Sequence, residues 1–298
     1  MTENIADIHA LIEAESFDTL AEIIEELPVD ERMVLVTRLP PTMQQHLIAG
    51  LDSDLAADLM HVIPDAQTVD LIAELNPADA VSILKNLPSD ERADIVGDLD
   101  DDEAEAILGA MRPRESAKLR KLAMYDDDIA GGLMTTEFLA FHADETIDEI
   151  VTKMRSNVEK YSDFQVQYAY VVNSANQLIG VLRLRDLLLG EPSARLSEIM
   201  ISSPISIPDT SGMISLRQFF DDHHYLGVPV TDANGVLVGV VNETDVEEAW
   251  AHRNADDYRK SQGIVQEELR TMPLLVRSRR RLAWLSINIV LKIGRAHV

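Results

Sequence analysis

Asp90 and Asp94 stand four residues apart in "LPSDERADIVGDLDDDEAEAIL" (87–108). On a helix that spacing puts both carboxylates on one face. At 100° per residue the face lies opposite Ile95, Val96 and Leu99, so both side chains point away from their own helix's apolar stripe. Like charges so placed repel mildly. Two readings follow. The face is solvated, with Asp90 serving the positive end of its helix, or a hard cation bridges the face to another segment through oxygen ligands.

The bulk composition bears on that choice. Lys and Arg number 26 against 52 Asp and Glu, a formal net charge of -26. Such a charge repels phosphates, so no nucleic acid partner is expected, whereas cations or a basic partner are favoured. There is no Cys, hence no disulfide and no thiolate metal site. The eight His show no close ligand spacing beyond His223-His224, which disfavours zinc. An apolar share of 46% is ordinary for a globular chain. "MTENIADIHALIEA" has neither a basic n-region nor a long apolar stretch, so no signal peptide is expected there.

The carboxylate pair lies within a repeat. Leu27, Leu39, Leu51, Ile63, Leu75, Leu87, Leu99 and Met111 recur every twelve residues. Pro follows at once after Leu27, Leu39, Ile63 and Leu87, and two positions after Leu75 and Met111. Apolar pairs such as Leu47/Ile48, Ile83/Leu84 and Ile95/Val96 come eight and nine positions after each anchor. The pattern predicts one short helix per repeat. Pro suits its first turn, and the Asp and Glu that follow suit its positive end. Helices this short are unstable alone, so stacked neighbours must bury the stripe, as in a solenoid.

A duplicated module follows. "YVVNSANQLIGVLRLRDLL" (170–188) and "VPVTDANGVLVGVVNETDV" (228–246) share a strand, a polar turn, a second strand with Gly, and an Asp opening a helix. Val171 matches Val230, Gly180 matches Gly239 and Asp186 matches Asp245. Upstream of each lie an amphipathic helix (144–156 and 212–224) and a further strand (138–142 and 204–208). The order strand, helix, strand, strand, helix, twice over, resembles a pair of CBS domains.

The helical acidic region, the junction "YDDDIAGGLMTTEF" (125–138) and this tandem module together resemble the MgtE magnesium transporter family. The resemblance implies an α+β multi-domain chain. A superhelix of twelve-residue repeats (1–128) is followed by CBS modules at 135–195 and 196–253. A long connecting helix (254–276) leads to the start of a first transmembrane segment (277–291). In "RSRRRLAWLSINIVL" the arginines fit the cytoplasmic side and Trp284 the interface. The apolar run from Leu282 to Leu291 is shorter than the roughly 20 residues that span a bilayer, and 292–298 resembles a truncated or foreign tail. The resemblance further implies a homodimer held in the cell membrane by a transmembrane domain missing from this chain. The present region then lies on the cytoplasmic side.

The family senses cytosolic magnesium through carboxylates, and the ions compact the cytosolic part and hold the pore closed. Matched by motif, Asp90 and Asp94 in "DERAD" correspond to ligands of the helical domain. Gly131 and Gly132 fall where a backbone carbonyl contributes. Asp245 and Glu248 in "ETDVEEAW", and Asp256 and Asp257 in "RNADDYRKSQG", match further acidic ligands. The helix opening the second module, "TSGMISLRQFF" (210–220), lacks the family's acidic positions, and His224 replaces another.

Adenosine-binding CBS motifs place Ser or Thr three residues before the helix-opening Asp. Here Arg183 precedes Asp186 and Asn242 precedes Asp245, so ATP is expected to bind weakly or not at all. Two other roles compete with magnesium sensing. One is a nucleotide-sensing CBS regulatory module. The other is an interaction scaffold, because the short-helix repeats also resemble the helical domains of the flagellar motor switch protein. No nucleophile–base pair or metal-water constellation marks an enzyme.

Overall fold

The computed structural model describes residues 2–161, 164 and 168–261. Ten helices come first: α1 (Thr2–Glu13), α2 (Phe17–Glu26), α3 (Val29–Arg38), α4 (Pro41–Gly50), α5 (Ser53–His61), α6 (Asp65–Ala73), α7 (Pro77–Leu84), α8 (Ser89–Asp98), α9 (Asp101–Ala110) and α10 (Pro113–Leu122). From α3 onward each begins twelve residues after the last, as the repeat predicts. Pro41, Pro77 and Pro113 occupy the first helical position. Pro28, Pro40, Pro64 and Pro88 instead sit one position earlier, as N-caps. A proline there presets φ but brings no side-chain acceptor for the exposed N–H groups of the first turn. Asp52 and Asn76 do cap, each accepting two backbone N–H bonds at about 3.1 Å.

The helices pack alternately. α3 lies on α5, α5 on α7 and α7 on α9, while α4 lies on α6, α6 on α8 and α8 on α10. The apolar pairs close the space between these two rows: Leu47, Ile48, Leu59, Ile72 and Leu84 are fully buried. A polar device recurs five residues after some anchors. Arg32 Nε donates to the Leu27 carbonyl (2.9 Å), Gln44 Nε2 to those of Val36 (2.8 Å) and Leu39 (2.9 Å), and Thr68 Oγ1 to that of Met60 (3.2 Å). Each adds a hydrogen bond to carbonyls at the end of the preceding helix, where intrahelical donors run out.

The first module comprises β1 (Leu139–His142), α11 (Ile147–Ser156), α12 (Val158–Tyr161), β2 (Tyr168–Val172), β3 (Leu178–Arg183), α13 (Leu184–Leu189) and α14 (Leu196–Ile199). The second comprises β4 (Ile201–Ser202), β5 (Ile207–Pro208), α15 (Met213–His223), β6 (Gly227–Thr231) and β7 (Leu237–Asn242). In both modules the first of three strands (β1, β5) pairs parallel with the second (β2, β6), and the second antiparallel with the third (β3, β7). Leu139, Phe141, Ile150, Ala169, Val171 and Leu182 fill the first module's core. The strand expected over 204–208 is only two residues long.

The modules exchange their leading segments. β4, which opens the second module, adds to β3 of the first as the edge of a four-stranded sheet. Reciprocally, Thr135, which opens the first, exchanges two 2.9 Å backbone bonds with Val240 of β7. A Cβ at Gly180 would overlap Met200, and one at Gly239 would overlap Met134. The matched glycines thus admit the methionine of the other module's leader. The two hairpin turns also zip together, through Gln177 facing Val236 and the Leu178 N–H to Gly235 carbonyl bond (3.0 Å).

A separate unit begins at Glu243, and its described residues form α16 (Glu243–Ser261). The last module helix and the start of the expected connecting helix are therefore continuous to Ser261. The expected membrane segment over 277–291 and the tail over 292–298 lie outside the described residues. Among those described, no helix is long and apolar enough to cross a membrane.

Candidate cation-responsive carboxylate site

α8 carries Asp90 in its first turn, Asp94 one turn on and Asp98 at its C-terminal end. Its apolar residues Ala93, Ile95 and Val96 are buried, which fixes the helix rotation and turns the three carboxylates to the opposite side. That side meets other acids. Surrounding protein strips much of the hydration from Asp94 and pushes it up to about 8, reinforced by the charges of Asp127, Asp90, Asp98 and Asp65 in that order. One side of Asp94 nevertheless stays exposed. Burial also raises Asp98, followed by the charges of Asp127 and Asp65. The Asp90 Oδ1 atom is buried.

Asp127 reaches this group through a tightly folded connector. Tyr125 donates its hydroxyl to Asp209 Oδ2 (2.9 Å), and burial with that bond pushes the phenol up to about 12. The N–H groups of Ala130 and Gly131 donate to the carbonyls of Ser211 (2.7 Å) and Asp209 (2.8 Å), and that of Met213 to Asp128 (2.8 Å). Both expected glycines are required sterically here. A Cβ at Gly131 would overlap the Tyr125 ring, and one at Gly132 the Asp126 carbonyl oxygen.

The acids around Asp94 offer only carboxylate oxygens, the ligands a hard cation prefers. Among the described residues no three His, Asp or Glu converge closely enough to hold one ion between them. Such a set suits a cation that keeps several of its own waters, as magnesium does.

The remaining expected residues lie elsewhere. Arg183 ends β3 and precedes α13, with Asp186 in that helix's first turn beside Arg185 (Nε to Oδ1 3.4 Å). Asn242 ends β7. On α16, Asp245 accepts from the Thr244 hydroxyl (3.1 Å) and Glu248 is exposed. Asp256 and Asp257 fall on α16, but their side chains lie outside the described residues.

Four participants escaped the sequence reading. Asp98 continues the four-residue spacing from Asp90 and Asp94 and was findable on that ground. Asp65 and Asp127 have no such signal, nor has Glu137. Its Oε2 accepts from the Ser89 N–H (3.1 Å) and the Thr135 hydroxyl (2.6 Å), and its Oε1 from Arg92 Nη2 (2.8 Å). Burial favours its neutral form, but the bonds from Thr135 and Ser89 and the Arg92 charge outweigh it, holding Glu137 below the usual carboxylate range.

Comparison with known proteins agrees with this architecture. The profile of the MgtE intracellular N domain matches residues 37–128, and that of the CBS domain matches 128–190 and 196–252. The magnesium transporter MgtE of Enterococcus faecalis is 31% identical over 171 residues. The match covers 57% of this chain and 37% of that protein, so the chain spans under two fifths of that relative's length. A crystal structure of the soluble part of a magnesium transporter superposes with a TM-score of 0.73 at 26% identity, covering 85% of this chain and 99% of the other. The cytosolic domain of the Mg2+ channel MgtE in complex with ATP superposes with a TM-score of 0.51 at 27% identity, covering 83% and 96%. The chain is therefore homologous to the magnesium transporter MgtE and carries, in order, that family's intracellular N domain and a CBS pair.

Proposed function

We propose that this chain is the magnesium-sensing regulatory region of an MgtE-type transporter or channel, placed at the cytoplasmic face of the cell membrane. It regulates rather than catalyses. The observation that carries the reading is the group of Asp90, Asp94, Asp98, Asp127 and Asp65, which sets three acids of α8 among the charges of Asp65 of α6 and Asp127 of the connector. Without a counter-ion their repulsion opposes seating α8 against the connector. Magnesium neutralises it, and the compacted state restrains ion uptake. Gly131 and Gly132 supply backbone carbonyls beside this group. Asp245, Glu248, Asp256 and Asp257 of α16 supply a further set of oxygen ligands, and the CBS modules pair two chains into a homodimer.

Scattering and thermal melting of the chain, with magnesium or with chelator, test this. A ligand at a hundredfold excess over its dissociation constant adds about 2.7 kcal/mol per independent site. Magnesium should raise the melting temperature and reduce the radius at a dimer's mass. A response no larger than that to sodium at equal ionic strength would sink the magnesium reading. A monomer's mass at every concentration would remove the dimer.

Nucleotide sensing is the second reading, supported by the ATP complex of the related cytosolic domain. Arg183 and Asn242 stand where hydroxyl side chains hold the ribose in adenosine-binding modules, beside Asp186 and Asp245. Loss of the hydroxyl leaves a ribose bond unmade. Calorimetry is expected to find ATP binding weak and poorly selective for adenine. Tight, adenine-selective binding would instead promote the nucleotide reading.

A further inference from the structure

The repeat exposes an anomaly at α8. Five residues after an anchor, Arg32, Gln44 and Thr68 all bond back to carbonyls at the end of the preceding helix. Arg92 holds the same repeat position after Leu87, but its guanidinium turns to Glu137, 45 residues on. Its Nε is left buried without a hydrogen bond, a cost the other repeats avoid. The same helix has Pro88 as its N-cap, with no side-chain cap of its own. The Glu137 carboxylate takes the Ser89 N–H in its place. Negative charge at that end is also favoured by the helix dipole.

Around these two bonds the contact is largely shielded. Ser89 is only 2% exposed, and its hydroxyl accepts from the Thr136 N–H (2.7 Å). Thr135 donates its hydroxyl to Glu137 while its backbone pairs with Val240 of β7. One carboxylate thus joins the N-terminal turn of α8 to a segment already held in the second module's sheet. Arg92 and Glu137 are each about three-quarters buried, with side chains 23% and 26% exposed. Charge-assisted bonds of this kind are stronger than neutral ones, and removing one partner of a shielded pair leaves the other charge uncompensated.

We infer that Glu137 is a positioning residue: it clasps α8 to the β7-anchored segment without any cation and thereby sets where Asp90 and Asp94 stand. The clasp stands independently of magnesium, while its consequence for Asp90 and Asp94 rests on the magnesium reading above. The test uses the absence of native cysteine. Lys118→Cys on α10 and Ser174→Cys in the first module's turn, both exposed, carry spin labels whose separation is measured with magnesium and with chelator. The parent should give one narrow distance peak with chelator. Glu137→Ala and Arg92→Gln should each lose it, and combining them should add little, because both remove one interaction. Glu137→Gln, which keeps acceptors for Ser89 and Thr135, should retain part of it. A merely local packing role would lower the melting temperature and leave the peak narrow, and that result in both single variants overturns the clasp. If the variants broaden the peak while the parent ignores magnesium, the clasp stands and the magnesium reading fails.

Discussion

Replacing Asp90 and Asp94 together by Asn is expected to stabilise the chain without magnesium and to remove most of its magnesium response. In the parent, Asp94 must ionise among four other carboxylates. At an effective dielectric near 20, unit charges about 4 Å apart repel by roughly 4 kcal/mol, and salt screens pairs beyond about 10 Å. The pH profile carries the same signature. Asp94 rises from an ordinary 3.8 to about 8 in the fold, so its neutral form favours folding. That contribution is fully present below about pH 4 and is lost as pH climbs through 8. Because one side of Asp94 meets water, screening reduces the full linkage value, and about 1–2 kcal/mol is expected.

With chelator present, the parent should therefore lose stability between pH 4 and pH 8, and the double variant much less. Magnesium should restore the parent most at the alkaline end, where it no longer competes with the proton. Calorimetric melting across this range, with sodium at matched ionic strength, checks both arms. A double variant that responds to magnesium and to pH as the parent does would show that these residues are a solvated face.

Gly132→Ala is expected to cost about 2–3 kcal/mol, the scale of overpacking a close contact, or very roughly 5–10 °C in melting temperature. The new Cβ would overlap the Asp126 carbonyl oxygen and press on Asp127 Cα at 3.0 Å. Both are backbone atoms, which cannot rotate aside as a side chain can. The turn must open, and Asp127 leaves its place beside Asp94 and Asp98, so the magnesium response should weaken as well. Gly109→Ala is the control. Beyond its neighbours and the backbone of its own helix, no atom lies within 4 Å of its Cβ position, and within α9 alanine should stabilise by about 0.5–1 kcal/mol. Equal melting of Gly132→Ala and parent would show that the connector turn tolerates a side chain and does not place Asp127 rigidly.

How legible each feature was depends on how far apart along the chain its causes lie. The helix starts from α3 to α10 keep the twelve-residue period because each depends on a proline or acid at its own entry and an apolar pair later in the same helix. The two modules were legible for the same reason: a hairpin turn, a strand glycine and a helix-opening Asp all act within about twenty residues. The four-residue spacing of Asp90 and Asp94 likewise gave their shared face, since 3.6 residues make a turn.

What faces that side was decided elsewhere. Asp127 approaches only because the connector bonds to Ser211 and Asp209, some 80 residues later. Met134 fills the space at Gly239, and Met200 that at Gly180, because the modules exchange their leading segments. Glu137 reads as one acid among 52 until the fold brings Ser89 and Arg92 against it. Local geometry and hydrophobic period determine which residues share a face. Which faces then meet is settled by packing the whole chain, because burial is collective and charges interact through space rather than along the backbone.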